Sequence, residues 1–386
     1  MTGEAARHSP AAARLCGLLD RALIDGHTVL PVAVAGSVLS GAGLRLEVAM
    51  QELGPAGSGL VSAPTPSVLG LRRIAEAEQA IAAAVESCAG GGRLHLVVGP
   101  PGAARDEAIA RYGEAAVVGD DAEYLDVETL ATFFASCSDD DAVVLAGDLD
   151  GLGSPGAGRA FADIAESGLA DVVRVAADPG AAGAVIRGFA AAVASGELPA
   201  VDDPTRELVV VAAGSGAEAA HRVDQLVTTS IPRALDIEPA HIQVITATST
   251  GACGPPALAA QLHAAGASSA LNVHESLGRR WPAVVLVVAP ESAGLLSRQL
   301  LYSGITRATQ HLSIVQAAGS AFGEAVLSVP SRRRRTLLPR LLQPRAGYSS
   351  SDSHSSSSSS LSSPSSSVST GPNGVTSSYA ENRASS

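Results

Sequence analysis

There is no lysine in this chain. All 26 basic residues are arginine, so no site that depends on a lysine ammonium exists anywhere in it. Cysteine is scarce too: Cys16, Cys88, Cys137 and Cys253 stand far apart with no C-x-x-C pair, which argues against zinc and against a redox couple. Scattered unpaired thiols suit a cytoplasmic protein. The sequence also shows no basic-then-apolar leader and no run of 18 apolar residues, which argues against secretion and membrane spanning. Positive charge is in deficit. A net charge of −12 excludes wholesale coating of DNA, because nonspecific affinity comes from phosphate neutralisation by basic groups, although local basic patches remain open.

What is present is core-forming material. A length of 386 residues suits two or three domains, and 46% hydrophobic content is ample for real cores. Residues 1–66 read as a small unit with helices at Ala11–Ile24, Val32–Leu39 and Leu44–Leu53, a short extended piece at Gly26, and a strand or wing at Gly59. Three short helices and a hairpin fit either a winged helix or a helical cap on the next domain. With few basic residues there, Arg14, Arg21 and Arg45 among them, a DNA-reading helix has little support. Ser67–Cys88 reads as one long helix, Leu94–Val98 as a buried strand, and Gly99, Pro100, Pro101 and Gly102 as the turn after that strand. Taken alone, that GPPG is more readily an ordinary strand-to-helix turn than a phosphate loop. Val201–Arg206 reads as a linker between domains 67–200 and 201–330. The 331–386 tail starts with Arg332, Arg333, Arg334 and Arg335, a run suited to nucleic-acid phosphates or to a solvated linker, and becomes serine-rich and disordered from Gly347.

The chain is organised around Asn272–Val315. Val284–Val288 and Leu312–Val315 are short, β-branched runs and read as strands, with one helix between them that starts at Ser297 and keeps its period to Arg307 and His311. Within this βαβ unit, LLYSGITRATQHL resembles the LLYTAITRAKK motif of superfamily 1 DNA helicases, and NVHESLGRRWPAVVLVV resembles TVHKSQGSEWPAVVL of their RecD-like branch. Upstream, DDAEYLDVETLA is similar to DEASMLDVETLA, and GDLDGLGSPGAGRAFADIAESG to GDPDQLPSVGPGNVLRDLIASG.

That resemblance, covering roughly residues 15–330, implies two RecA-like P-loop-type domains clamping ATP and Mg²⁺, and 5′ to 3′ DNA unwinding in recombination or repair. By position it assigns Arg307 as the arginine finger on the γ-phosphate, where the residue alone reads as a solvated helix-end cation. It makes Asp120 the metal-holding aspartate and Asp121 the stand-in for the glutamate that activates water. It places Gly99, Pro100, Pro101, Gly102, Arg105 and Asp148 around the nucleotide, and His274 and Ser276 in a DNA-contacting motif. His274 by itself reads more readily as a hydrogen-bonded structural histidine.

The departures are chemical. Arg105 replaces the phosphate-loop lysine, Asp106 the metal-binding hydroxyl, Gly151 the γ-phosphate glutamine, Gly180 the second arginine and Glu275 a lysine. Two DNA-gripping inserts have no room. The expectation is therefore a degenerate helicase relative serving as a DNA-associated or protein-binding scaffold with single-stranded or tailed duplex DNA as a possible partner. A residual DNA-dependent ATPase and a pure protein-interaction module are the alternatives.

Overall fold

The computed structural model describes residues 8–176, 183–262, 269–329 and 333–343. Gly180, Ser268, Arg332 and the serine-rich tail lie outside them. The N-terminal elements run α1 (Pro10–Ile24), β1 (Leu30–Pro31), α2 (Val32–Gly41), α3 (Leu46–Leu53), β2 (Val61–Thr65) and β3 (Val68–Leu71). Ser9 caps α1, its hydroxyl accepting from the Ala12 amide at 3.2 Å, and Pro10 occupies the first turn, where its missing N–H costs nothing. The three strands form an antiparallel sheet in the order β1-β3-β2. The single helix expected over Ser67–Cys88 is thus divided. Val68–Leu71 pairs with both neighbours as β3, and α4 (Arg72–Gly90) starts only after it. Sheet pairing overrides the helical period there.

The first parallel sheet comes next: β4 (Leu94–Val98), α5 (Ala103–Ala110), β5 (Val117–Gly119), α6 (Val127–Ser136), β6 (Val143–Gly147), α7 (Ala160–Ser167) and β7 (Asp171–Arg174). Its strand order is β5-β6-β4-β7. Alternation along β4 and β6 separates two faces. Leu94, Leu96, Val143 and Leu145 join Ile81 and Val85 of α4 and Leu130 of α6 in a core that continues into Leu15 and Leu39 of the N-terminal unit. Val97, Val144 and Ala146 form a smaller cluster with Ala108 and Ile109 of α5, Tyr112, Ala116 and Val175. The first domain and the N-terminal unit therefore share one core, and the opposite face is thin.

The second parallel sheet holds five strands: β8 (Leu208–Ala212), β9 (Ile242–Thr246), β10 (Leu271–Asn272), β11 (Trp281–Val288) and β12 (Ala308–Gln316), in the order β10-β9-β11-β12-β8. One face carries α8 (Ala184–Ser195), which precedes β8, with α12 (Arg298–Ile305) and α13 (Ala321–Ser328). The other carries α9 (Gly216–Gln225) and α11 (Pro255–Leu262); α10 (Ile231–Leu235) comes after α9 and one wide helical turn.

Three boundaries read from the sequence are corrected here. First, α8 belongs to the second domain, not to 67–200: Ile186, Phe189 and Val193 are buried with Leu300, Leu301 and Leu312, each side chain stabilising that contact by about 1.5–3 kcal/mol. The chain thus changes domain before Gly183, and 201–206 only joins α8 to β8. In that joint Asp203 accepts from Thr205 and from the Leu208 amide at 2.9 Å. Second, the helix after Ser297 ends at Ile305, and His311 lies buried in β12, bonded to the Arg206 carbonyl at 2.7 Å and Ser313 Oγ at 2.8 Å. Third, residues 333–343, expected in the tail, fold back onto the first domain, ending in α14 (Leu338–Leu341).

That returning strap is anchored on Glu78 of α4. Glu78 is fully buried, and its Oε1 accepts from Thr28 Oγ1 (2.9 Å) and from the amides of Leu337 (2.9 Å) and Leu338 (3.1 Å). Burial pushes its carboxyl from 4.5 up to about 7, with the hydrogen bonds offsetting part of the rise. Between these two values the folded chain holds a proton that the unfolded chain has released, so stability falls as pH rises, by about 1.4 kcal/mol per pH unit for one group. Asp163, pushed up to about 6 by burial, acts in the same direction. The urea midpoint is accordingly expected to drop from pH 5 to pH 8. Glu78→Gln, which keeps the accepting oxygen, is expected to flatten that slope and be the more stable form at pH 8. An unchanged slope in this variant would refute the assignment.

Candidate functional site

The carboxyl ends of β4, β5 and β6 point to one side, which is where open α/β sheets build their sites. After β4 the chain turns through Gly99–Gly102 into α5, whose first turn carries Arg105. After β5 come Asp120 and Asp121, and after β6 comes Asp148. These segments meet through Arg105. Its side chain is only 3% exposed, and its Nη2 lies 2.9 Å from Asp120 Oδ1 and 2.8 Å from Asp121 Oδ1. Asp121 adopts a left-handed backbone, φ +50°, with its amide bonded to Asp120 Oδ1 at 2.9 Å, a conformation that Asp tolerates better than most residues. Burial opposes the charge on Arg105; the bond to Asp121 and the charges of Asp120, Asp121 and Glu123 outweigh it and raise its proton affinity.

Two further acids lie beneath this pair. Glu123, on a 3-10 turn at Ala122–Tyr124, is 7% exposed, and its Oε2 has no hydrogen-bond partner among the described residues. Burial, and then Asp121 and Asp148, push its carboxyl up to about 8. It sits so close to β6 that a Cβ at Gly147 would fall 2.5 Å from Glu123 Oε2. Asp148 is buried and also raised by burial, while the Tyr302 hydroxyl and the Asp150 amide hold it down.

Tyr302 comes from the second domain. Its hydroxyl donates to Asp148 Oδ2 at 2.7 Å, and the Leu152 amide donates to Ser303 Oγ at 2.7 Å. This contact of α12 with the 148–152 loop needs the small residue at 151: a Cβ on Gly151 would lie 3.2 Å from Ser303 Oγ and 3.8 Å from the Tyr302 ring. A side chain there would crowd Ser303 Oγ by a few tenths of an ångström. Elsewhere in the cleft, the Arg280 guanidinium donates to the Pro101 carbonyl.

Arg307 is 4% exposed, which corrects its reading as a solvated cation. It stays within its own domain, donating to the Arg279 carbonyl at 3.4 Å and to Thr306 Oγ1 at 3.1 Å, with Nε unpartnered among the described residues. The structure thus brings Arg105 together with Asp120 and Asp121 after the Gly99–Gly102 turn, places Asp148 and Glu123 within reach of the Arg105 charge, and leaves Arg307 bonded within its own domain.

His274 and Ser276 lie apart from it. His274 is exposed and borders a cavity of about 280 Å³ shared with Asn272, Gln299 and Arg334. Ser276 is buried, its hydroxyl donating to the Val273 carbonyl at 2.8 Å, so its donor is taken up by the fold rather than free for a nucleic acid. The arginine run divides. Arg334 gives its donors to the carbonyls of Ser154 (2.7 Å), Gly156 (3.0 Å) and Gly158 (2.6 Å), a structural role in place of the expected phosphate contact or solvated linker. Arg333 is exposed and lines an adjoining cavity of about 560 Å³. Arg335 is exposed, and its carbonyl accepts from the Thr28 amide at 2.9 Å.

Sequence reasoning missed Glu123, Tyr302 and Arg280. The first stands where the helicase string has serine and the third where it has glutamate, so both were visible as departures. Tyr302 matches the motif and gave no such signal.

The residues do not fit Mg-ATP in the manner of a phosphate loop. The cation that should meet the phosphates is held by Asp120 and Asp121, and Asp106 offers no hydroxyl. Among the described residues no group of three His, Cys, Asp or Glu is arranged to hold a metal ion.

Residues 267–315 match the model of the UvrD-like helicase C-terminal domain. Among solved structures the chain is similar to Arterivirus nonstructural protein 10, a helicase in complex with DNA, at 15% identity over 69% of this chain and 70% of that one, with a TM-score of 0.34. It is also similar to the PRRSV helicase, at 11% identity over 66% and 58% of the two chains, with a TM-score of 0.30. Comparison with curated proteins finds no match. The UvrD-like match lies on β10 to β12 of the second parallel sheet, so the likeness to that family is carried by this part of the chain.

Proposed function

We propose that this chain is a RecD-like helicase relative that has left the motor cycle and serves as a DNA-associated or protein-binding scaffold in recombination or repair. The observation that carries this reading is Arg105 Nη2 set on both Asp120 and Asp121. A phosphate loop works when its cation meets the β and γ oxygens and a nearby carboxylate holds the metal. Here cation and carboxylates neutralise each other, and separating them costs about 2–3 kcal/mol, because Arg105 is buried while water screens the partly exposed Asp120 and Asp121. The bonds from Tyr302 to Asp148 and from Leu152 to Ser303 add a tie between domains that a motor must move apart and together.

A residual DNA-dependent ATPase is favoured by one feature, the buried Glu123, whose carboxyl, pushed up to about 8, suits a proton acceptor in a chain that retains Arg307. Anisotropy of a labelled single strand and of a tailed duplex, titrated at several salt concentrations with and without Mg-ATP, separates the readings. The scaffold is expected to bind DNA or a protein with no response to Mg-ATP and to release no phosphate. ATP turnover that falls in Arg307→Ala would overturn it and install the ATPase in its place.

A further inference from the structure

The chain passes between the two parallel-sheet domains twice. It leaves the first after Ala176 and enters the second at Gly183, the residue that precedes α8. It returns between Val329, which closes α13, and Arg333, with three residues in between. Both ends of this return are fastened. On the second domain the Val329 carbonyl accepts from the Arg298 amide at 2.8 Å and Arg298 Nε donates to the Val326 carbonyl at 2.9 Å, so the end of α13 is tied to the first turn of α12. On the first domain Arg334 sits on the carbonyls of Ser154, Gly156 and Gly158, and Leu337, Leu338 and Leu342 lie in the core. The 148–158 loop and α12 are also the two pieces joined by Tyr302 to Asp148 and by Leu152 to Ser303. Gln299, next to Arg298, lines a cavity with Gly151 and Arg333, which puts the return beside those bonds.

We infer that the strap 333–343 is a clasp: seated in the first domain and joined to the second by three residues, it holds α12 against the 148–158 loop and keeps the domains closed at this edge whether or not a ligand is bound. Domains that meet through small polar interfaces move relative to each other by default. Here the five steps of chain from Val329 to Arg334 reach at most about 18 Å when fully extended, so α12 cannot be drawn further from the loop while Arg334 stays seated. When the bond from Tyr302 to Asp148 breaks, its partners remain close and it reforms as an intramolecular step. The seat itself is strong, because it is part of the first domain's core. Nothing in the clasp involves Arg105, so it does not depend on the loss of ATP turnover proposed above.

Amide hydrogen exchange on the full chain tests this. The Leu152 amide, bonded to Ser303 Oγ, reports the seam, and the Leu337 and Leu338 amides, bonded to Glu78, report the seat. In one variant about twelve Gly and Ser residues are inserted between Ser331 and Arg332. Lengthening the return from three residues to about fifteen is expected to lower Leu152 protection about tenfold, the change in closure probability of a flexible loop, while Leu337 and Leu338 keep theirs. A second variant carries a protease site at the same place and is cut only after folding, so it serves if the first does not fold. A larger loss at Leu152 is expected there, because the strap stays in the core but no longer joins the domains. The same insertion between Asp139 and Asp140, on an exposed turn of the first domain, is expected to leave Leu152 unchanged. Leu152 protection that survives both lengthening and cutting overturns the inference, since the seam then closes by itself. A loss that the insertion after Asp139 reproduces, or that Leu337 and Leu338 share, overturns it as well, because the strap is then no independent seat.

Discussion

Truncation after Val329 is expected to unfold the first domain, although it removes nothing from either parallel sheet. The strap it deletes places Leu337, Leu338 and Leu342 in the core at 3%, 0% and 2% exposure. At about 1.5–3 kcal/mol for each buried side chain, the loss is about 5–9 kcal/mol, comparable with the whole stability of an ordinary domain. Polar losses come on top. Glu78 loses two amide donors while remaining buried, Asp163 loses the Thr336 hydroxyl, and the carbonyls of Ser154, Gly156 and Gly158 lose Arg334. Leu338→Ala alone is expected to cost about 2–5 kcal/mol, depending on how far the site closes over the cavity. Circular dichroism melts of two truncations, one after Val329 and one after Gln343, separate the contribution of the strap from that of residues 344–386. If the shorter one melts within about 2 °C of the longer, the strap is not part of the core.

Arg105→Ala is the second large effect. It leaves Asp120, Asp121, Glu123 and Asp148 without the cation that joins them, and two of the four are already buried. Removing one partner of a buried pair costs about 3–5 kcal/mol; because Asp120 is 51% and Asp121 38% exposed, water screens part of this and about 2–3 kcal/mol is expected. The loss is expected to grow as pH rises, since each ionised carboxylate then repels the others, and to shrink near pH 5. Arg105→Lys keeps the charge as a compact point rather than a fork, so an intermediate loss is expected. It is also expected to give no ATP turnover, because the hydroxyl at 106 and the glutamine at 151 are still missing. Urea unfolding at pH 5 and pH 8, with phosphate release measured on the same samples, checks both outcomes. Turnover in Arg105→Lys would mean that a single residue silences the site.

Much of the architecture is legible in local pattern. The runs at Leu94–Val98, Val284–Val288 and Leu312–Val315 are short and apolar, and each lies in a strand of a parallel sheet. Ser297 caps α12 as its spacing indicates, accepting from the Leu300 amide at 3.2 Å. Periodicity was less informative where an element had two possible hosts. α8 has an apolar face that fits either sheet, and only packing against Leu300 and Leu312 assigns it to the second. Val68–Leu71 has residues suited to helix or strand, and β1 and β2 on either side decide it.

By itself, the sequence determined which chemistry is missing and the order in which the motifs lie. The absence of lysine, the glycine at 151 and the aspartate at 106 are properties of composition and position, independent of folding. Whether Arg105 is available to a ligand or consumed by Asp120 and Asp121 was decided only when β5 carried those acids beside α5. Likewise, Tyr302 and Asp148, 154 residues apart, became partners only by domain docking, and Arg334 changed from an exposed cation to a clamp on three carbonyls only because the chain returns to Glu78. The physical reason is common to all three. Local pattern reports which face of an element is apolar and which groups carry charge, but the free energy of a charge depends on what lies within a few ångströms of it, and that is set by contacts between distant parts of the chain.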